Sequence, residues 1–223
     1  MVGYSAILLS LLVTIIGGFS YFNLHVNAAS SSAKKEKNGK FTLKCYRLST
    51  LFAGLAAGYL FYLILDNRFD YSYVFNYSSR SLAFAYKISA FWAGQQGSFM
   101  LWLLFHVGFG LFLSQKKETP AGVMVVHSVV QAMLLIALLV KSPFMLMSPA
   151  QTEGIGLNPL LQDFWMTIHP PIIFLGYAGL AVPFAYALEG LFSHKHKDWI
   201  KPALPWALFS WCALGAGVFI GAF

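Results

Sequence analysis

Apolar residues fall along the chain in runs of about 20, the length an α-helix needs to cross roughly 30 Å of hydrocarbon at 1.5 Å per residue. Six runs stand out: 4–24, 48–65, 97–113, 121–140, 170–192 and 202–223. The first contains no Asp, Glu, Lys or Arg and holds eleven Leu, Ile, Val or Phe. At roughly 0.3–0.6 kcal/mol each, these residues favour insertion by about 3–7 kcal/mol. The pattern predicts an all-α, polytopic membrane bundle of about six transmembrane helices. A cleaved signal peptide is the alternative for the first run, because Val26 and Ala28 make a passable cleavage site. The segment nevertheless lacks a basic start, and it exceeds the usual apolar region of about 7–15 residues.

Composition agrees: the chain is 58% hydrophobic and 10% charged, where an ordinary soluble domain is about a quarter charged. The basic residues give an orientation. Eleven of the 15 lie in alternate loops, at Lys34, Lys35, Lys37, Lys40, Lys44, Arg47, Lys116, Lys117, Lys195, Lys197 and Lys201. The other loops hold only Arg68, Arg80, Lys87 and Lys141. By the positive-inside rule the amino terminus and the second and fourth loops face outward. The net charge of +7 then reflects topology and contact with anionic lipid, and nothing in it calls for nucleic acid. Cys45 and Cys212 form no CxxC or CxxCH and read as structural.

The stretch 27–47, with its Ser and Lys runs, reads as a solvated linker. The outer loop 66–96 is rich in aromatics, among them Tyr71, Tyr73, Tyr77, Phe84, Phe91 and Trp92, which favour the headgroup level. Residues 81–92 could lie flat there as a short interfacial helix. The outer loop 141–169 carries Gly154, Gly156 and Pro159 with a second aromatic and polar cluster. Both outer loops are expected to be ordered. The last run is still apolar at Phe223, which suggests one part of a larger membrane protein, either a fragment or a separately encoded half.

The most informative stretch runs from Gly156 through Leu157-Asn158-Pro159-Leu160-Leu161-Gln162-Asp163-Phe164-Trp165-Met166-Thr167-Ile168-His169 to Pro170-Pro171. It resembles the GLNPLLQDxWMxxHPP signature of the cytochrome c haem lyases of the CcmF and NrfE type, and Phe174-Leu175-Gly176-Tyr177-Ala178 continues the likeness. Trp92 to Trp102 is similar to the family's W-x-x-x-E-G-S-x-x-x-W region, with Gln96 where Glu is usual. The resemblance implies that His169 faces the outer side as an axial ligand to haem iron, the haem arriving from a haem chaperone. It further implies attachment of haem to the CxxCH thiols of apocytochrome c, in a bacterial inner membrane or its organellar equivalent. The family's tryptophan-rich WWD segment, its second outer histidine and its intramembrane haem ligands would lie beyond Phe223, in the remaining part of the lyase.

The residues themselves suit ligation at His169. Two prolines start a helix well, since their missing N–H groups would be orphaned there anyway. That places His169 at or beside the cap, where the helix's positive end favours a neutral ring. Asp163, Gln162 or Asn158 could orient its other nitrogen. The plain reading is a capping histidine at an aromatic belt. His106 and His127, the latter with Gln131 one turn on, fall within spans and read as hydrogen-bonded neutral histidines or as a haem site between helices. His25, His194 and His196 read as solvated. Gly217 and Gly221 form a GxxxG packing motif, Pro183 a kink, and Glu189 snorkels or pairs with Lys195. A transporter or channel subunit lined by His106, His127 and Gln131, or a cofactor-free assembly scaffold, are the competing functional readings.

Overall fold

The expected bundle is present in a computed structural model that describes residues 2–27, 32–194 and 197–222. Its helices are α1 (Val2–Val26), α2 (Ser32–Leu65), α3 (Ser72–Tyr77), α4 (Phe84–Ala90), α5 (Gln95–Gln115), α6 (Ala121–Val140), α7 (Phe164–Phe192) and α8 (Ile200–Ile220). Six are long and apolar enough to cross a membrane: α1, the part of α2 from Lys37, α5, α6, α7 and α8. The protein is an integral membrane protein. Helix α1 packs on α2 and α6, α8 packs on α7, and α5 and α6 join the two groups.

One expectation about the first helices changes, that of a solvated linker over 27–47. Residues 32–47 are helical and belong to α2. Thr42, Cys45, Tyr46 and Ser49, spaced to share one helical face, are all buried, and Thr42 Oγ1 lies 2.6 Å from Ser20 Oγ on α1. A face of small and polar residues therefore carries the helix past the apolar run. Ala28 of the candidate cleavage site, Lys195, His196 and the side chains of Lys34 and Lys35 lie outside the described residues.

The bundle is apolar outside and partly polar inside. Leu8, Leu12, Ile15, Ile16 and Phe19 of α1 are exposed, as befits a surface facing lipid, while Ser10 and Thr14 of the same helix are buried. Their hydroxyls meet Ser49 of α2: Ser10 Oγ donates to the Ser49 carbonyl (2.9 Å), and the Thr14 and Ser49 hydroxyls are 2.6 Å apart. Gln131 of α6 closes the knot by donating from Nε2 to Thr14 Oγ1 (2.9 Å) and Ser49 Oγ (2.7 Å). Three helices are thus tied together at a depth where no water could substitute.

At one end the two aromatic loops form a single plate. Backbone bonds run from Ser72 N to the Met145 carbonyl (2.8 Å), from Met147 N to Asp70 (2.8 Å), from Ile155 N to Phe75 (2.8 Å) and from Gly156 N to Ser78 (3.0 Å). Glu153 accepts the backbone N–H groups of Arg80 (2.9 Å) and Gly154 (3.1 Å), and the Arg80 N–H above all holds its carboxyl below the usual carboxylate range. Several loop aromatics are core residues of this plate rather than headgroup anchors. Tyr73 is buried and its hydroxyl donates toward the Ala90 and Phe91 carbonyls (both 3.0 Å) while accepting from Gly94 N (3.2 Å). The short helix α4 spans only 84–90, with Phe84 exposed and Ala90 and Phe91 buried.

The polar knot yields a prediction. Gln131→Ala should lower the unfolding free energy in detergent micelles by about 1 kcal/mol, within the range of roughly 0.6–1.7 kcal/mol for interhelical hydrogen bonds in membranes. An unchanged unfolding midpoint would mean that α1, α2 and α6 hold together without it.

Candidate functional site

The sequence 156–163 is a set of local instructions for starting α7. Gly156 adopts φ +92°, a conformation glycine reaches without strain. Asn158 Oδ1 accepts the Leu160 N–H (3.0 Å) and caps a 3₁₀ turn over Pro159–Leu161. Gln162 Nε2 donates to the Leu157 carbonyl (2.8 Å) and closes the loop. Asp163 Oδ1 accepts from Trp165 N (2.8 Å) and Met166 N (3.3 Å), so it is the N-cap of α7.

This corrects the expected place of His169. The helix begins at Phe164 rather than at Pro170, because Asp163 satisfies its first amides. His169 therefore sits in the second turn and caps nothing. Pro170 and Pro171 lie inside the helix and have no N–H to give to the carbonyls of Met166 and Thr167. Asn158, Gln162 and Asp163 are occupied with the turn and the cap, and none of them orients the ring. The partner is on α8: His169 Nδ1 lies 2.7 Å from the Gly217 carbonyl oxygen. A carbonyl only accepts, so Nδ1 carries the proton, and Nε2 has no hydrogen-bond partner among the described residues. His169 is half-buried, with the exposed Trp165 one turn before it on the same helical face.

Helix α8 can supply that carbonyl because the two helices approach closely. A Cβ at Gly217 would lie 2.6 Å from Ile173 Cδ1, one at Gly221 2.5 Å from His169 Cε1 and Nδ1, and one at Gly176 2.6 Å from Leu214 Cγ. The GxxxG at 217–221 is a packing device, as expected, and the ring of His169 rests in it.

His106 and His127 are fully buried, with parallel rings whose centroids are 3.7 Å apart at 16°. His106 Nε2 lies 3.0 Å from the His127 carbonyl, and His127 Nδ1 lies 3.3 Å from the Tyr46 hydroxyl. Rings in mutual van der Waals contact leave no room for a porphyrin between them. This agrees with the reading of hydrogen-bonded histidines, and with Gln131 they form helix-joining core rather than the lining of a path. His106 Nδ1 and His127 Nε2 have no partner among the described residues. At the opposite end of the bundle Glu189 lies against Gly122 and 3.6 Å from His25 Nδ1. His25 on α1 thus faces a carboxylate of α7.

Comparison with known proteins decides the family. The model of the cytochrome c assembly protein family matches residues 92–223, which contain α5 to α8 and His169. The chain belongs to that family. Among relatives, the cytochrome c-type biogenesis protein CcmF of Haemophilus influenzae is 34% identical over 182 residues, covering 77% of this chain and 28% of the relative. The protein CycK of Rhizobium meliloti is 38% identical over 145 residues, 62% of this chain and 21% of the relative. The probable NrfE of Escherichia coli is 33% identical over 175 residues, 75% and 32% respectively. The structure of a cytochrome c haem lyase CcmF shares the fold, with a TM-score of 0.76 at 23% identity over 97% of this chain and 34% of that one. The chain thus spans about a third or less of the length of these relatives.

The region 92–102 also has a clear physical role. A Cβ at Gly97 would collide with the Phe91 carbonyl and the Tyr73 hydroxyl, and Ser98 Oγ donates to the Trp92 carbonyl (2.8 Å). Glycine and serine there lock α5 to the plate. The Gln96 side chain makes no hydrogen bond among the described residues, so the departure from Glu costs the lock nothing. Trp102 packs against Phe174 and Tyr177 of α7, with ring centroids 6.2 and 5.7 Å away.

The histidine pair gives the second prediction. Gly110 of α5 faces it, and a Cβ there would meet the Tyr46 hydroxyl and lie 2.5 Å from His127 Cε1. Gly110→Ala should cost about 1–3 kcal/mol through overpacking, read as a lowered unfolding midpoint in micelles. Unchanged stability would mean that the pair moves freely in its pocket.

Proposed function

We propose that this chain is the amino-terminal, haem-handling part of a cytochrome c haem lyase, with His169 as an axial ligand to haem iron on the outer side of the membrane. The observation that carries the reading is the state of the ring. Nδ1 is engaged by the Gly217 carbonyl at 2.7 Å, and Nε2 keeps a lone pair with no partner among the described residues. A ligating histidine ordinarily donates its other N–H to a carbonyl or carboxylate in this way. His169 is half-buried in the second turn of α7, near the exposed Phe164 and Trp165, whose flat apolar faces suit a porphyrin.

When bound, haem supplies the iron and the vinyl groups that become thioethers to the CxxCH cysteines of apocytochrome c. The chain's own residues hold and orient: Asp163 and Gln162 set where α7 begins, Gly217 sets the tautomer, and His169 presents Nε2. A haem chaperone is the donor in this reading, and the remaining part of the lyase supplies the other ligands. The lysine-rich loops then face the cytoplasm and the aromatic plate faces the periplasm, an orientation supported by the uneven distribution of basic residues.

In the assembled lyase, His169→Ala should lower occupancy of the outer haem and abolish attachment, while insertion remains normal. The substitution removes one interhelical hydrogen bond, worth about 0.6–1.7 kcal/mol. His106→Ala and His127→Ala should retain the outer haem. The measurement is the haem spectrum and attached cytochrome at matched protein level. Unchanged haem in His169→Ala sinks the assignment, and loss confined to the other two moves the site into the membrane.

Orientation has its own test. In intact cells or spheroplasts a membrane-impermeant maleimide should label Ser79→Cys and spare Lys117→Cys. The reverse pattern would put His169 at the wrong surface for this function.

A further inference from the structure

We propose that the glycine pair of α8, Gly217 and Gly221, is the positioning element of the haem site, selecting which nitrogen of His169 ligates and holding the ring in place. The proposal rests on the reading of His169 as a ligand and adds residues that the family signature around His169 does not contain.

Three observations carry it. The Gly217 carbonyl accepts two donors, Gly221 N at 3.0 Å within α8 and His169 Nδ1 at 2.7 Å from α7. The first bond closes the last turn of α8 on its C-cap, so that oxygen is already held by its own helix when it accepts the second. Gly221 is pressed against the ring itself, where a Cβ would lie 2.5 Å from both Cε1 and Nδ1. Gly217 brings the backbones together below the ring, because a Cβ there would lie 2.6 Å from Ile173 Cδ1 and 3.3 Å from Ile173 N.

The Gly221 contact differs in kind from the other close approaches of the pair, because it is made to the ring itself. Gly176 faces Leu214, and Gly179 faces Ser210 and Phe209; both serve packing and neither touches His169. A side chain at 221 must displace the ring, and one at 217 must turn the Ile173 side chain aside and ease its backbone N, 3.3 Å away, from α8. Either change lengthens the Nδ1–H···O bond. With that bond intact the proton stays on Nδ1 and Nε2 is the coordinating atom. A carbonyl drawing on Nδ1–H also makes Nε2 a stronger donor to iron.

The test uses the assembled lyase purified with haem. Gly221→Ala should weaken haem retention at His169 about tenfold, the lower end of the usual cost of losing such a supporting bond, and should change the visible spectrum and midpoint potential of that haem. Gly179→Ala, a packing change in the same helix pair that meets only the side chains of Ser210 and Phe209, should leave spectrum and potential unaltered at matched protein level. The same spectral change in both variants, or in neither, would overturn the proposal.

A second measurement does not depend on Gly221→Ala folding. In His169→Gly, added imidazole can fill the gap, ligate iron and donate its N–H to the Gly217 carbonyl, whereas 1-methylimidazole has no N–H to give. Imidazole should restore the wild-type spectrum at about a tenth of the concentration that 1-methylimidazole requires. Equal concentrations would overturn the role of the carbonyl while leaving His169 as ligand. Wild-type haem in His169→Gly without any additive would overturn the ligand reading itself, and the positioning proposal with it.

Discussion

A polar group inside hydrocarbon can bond only to other protein groups, and that constraint organises this bundle more than apolar burial does. Lipid tails are as apolar as leucine, so hiding Leu8 or Ile16 from them would gain little, and both are left exposed. The hydroxyls of Ser10, Thr14 and Ser49 and the amide of Gln131 have no such freedom. They converge from three helices into one hydrogen-bonded knot. The same demand brings His106 to the His127 carbonyl and His127 to the Tyr46 hydroxyl. Each of these side chains is bonded to a neighbouring helix.

Close approach is the second requirement, since a backbone carbonyl can serve another helix only if no side chain stands between them. Glycines supply it at Gly110 beside His127 and at Gly217 and Gly221 beside His169. The two devices meet at His169, where a polar ring enters a glycine-lined seat and finds an oxygen at 2.7 Å. The plate above is held by different means, chiefly backbone bonds between loops 66–94 and 141–163. It gives α7 a fixed starting height through Asp163.

The spans and the importance of the 156–171 stretch were legible in the sequence because they depend on local rules, namely run length and an unusual motif. The partners of His169 were not. Asn158, Gln162 and Asp163 stood near it in sequence and had suitable chemistry, but each was already committed to a turn or cap. The true partner is a main-chain oxygen 48 positions away, and a carbonyl leaves no mark on a sequence. The helix start was misplaced because two prolines are a strong start signal, outweighed here by an aspartate seven residues earlier. Likewise 32–47 looked like linker by composition, although Thr42, Cys45, Tyr46 and Ser49 already held the spacing of a buried face.

The prolines gain a different meaning once they lie inside α7. Each leaves a carbonyl four residues back without its helical amide, and in mid-membrane that loss must be made good by protein. Pro170 and Pro171 place it at Met166 and Thr167, in the first turn of α7 beside the loop plate, where both residues are only half-buried. Irregular backbone is least costly at that level, because water reaches it. His169, immediately before the prolines, therefore lies at the loop-plate end of the regular span, between a capped helix start and continuous hydrocarbon. Its ring needs an anchor that does not depend on the weakened turn of its own helix. The Gly217 carbonyl, itself bonded to Gly221 N within an intact turn of α8, provides one.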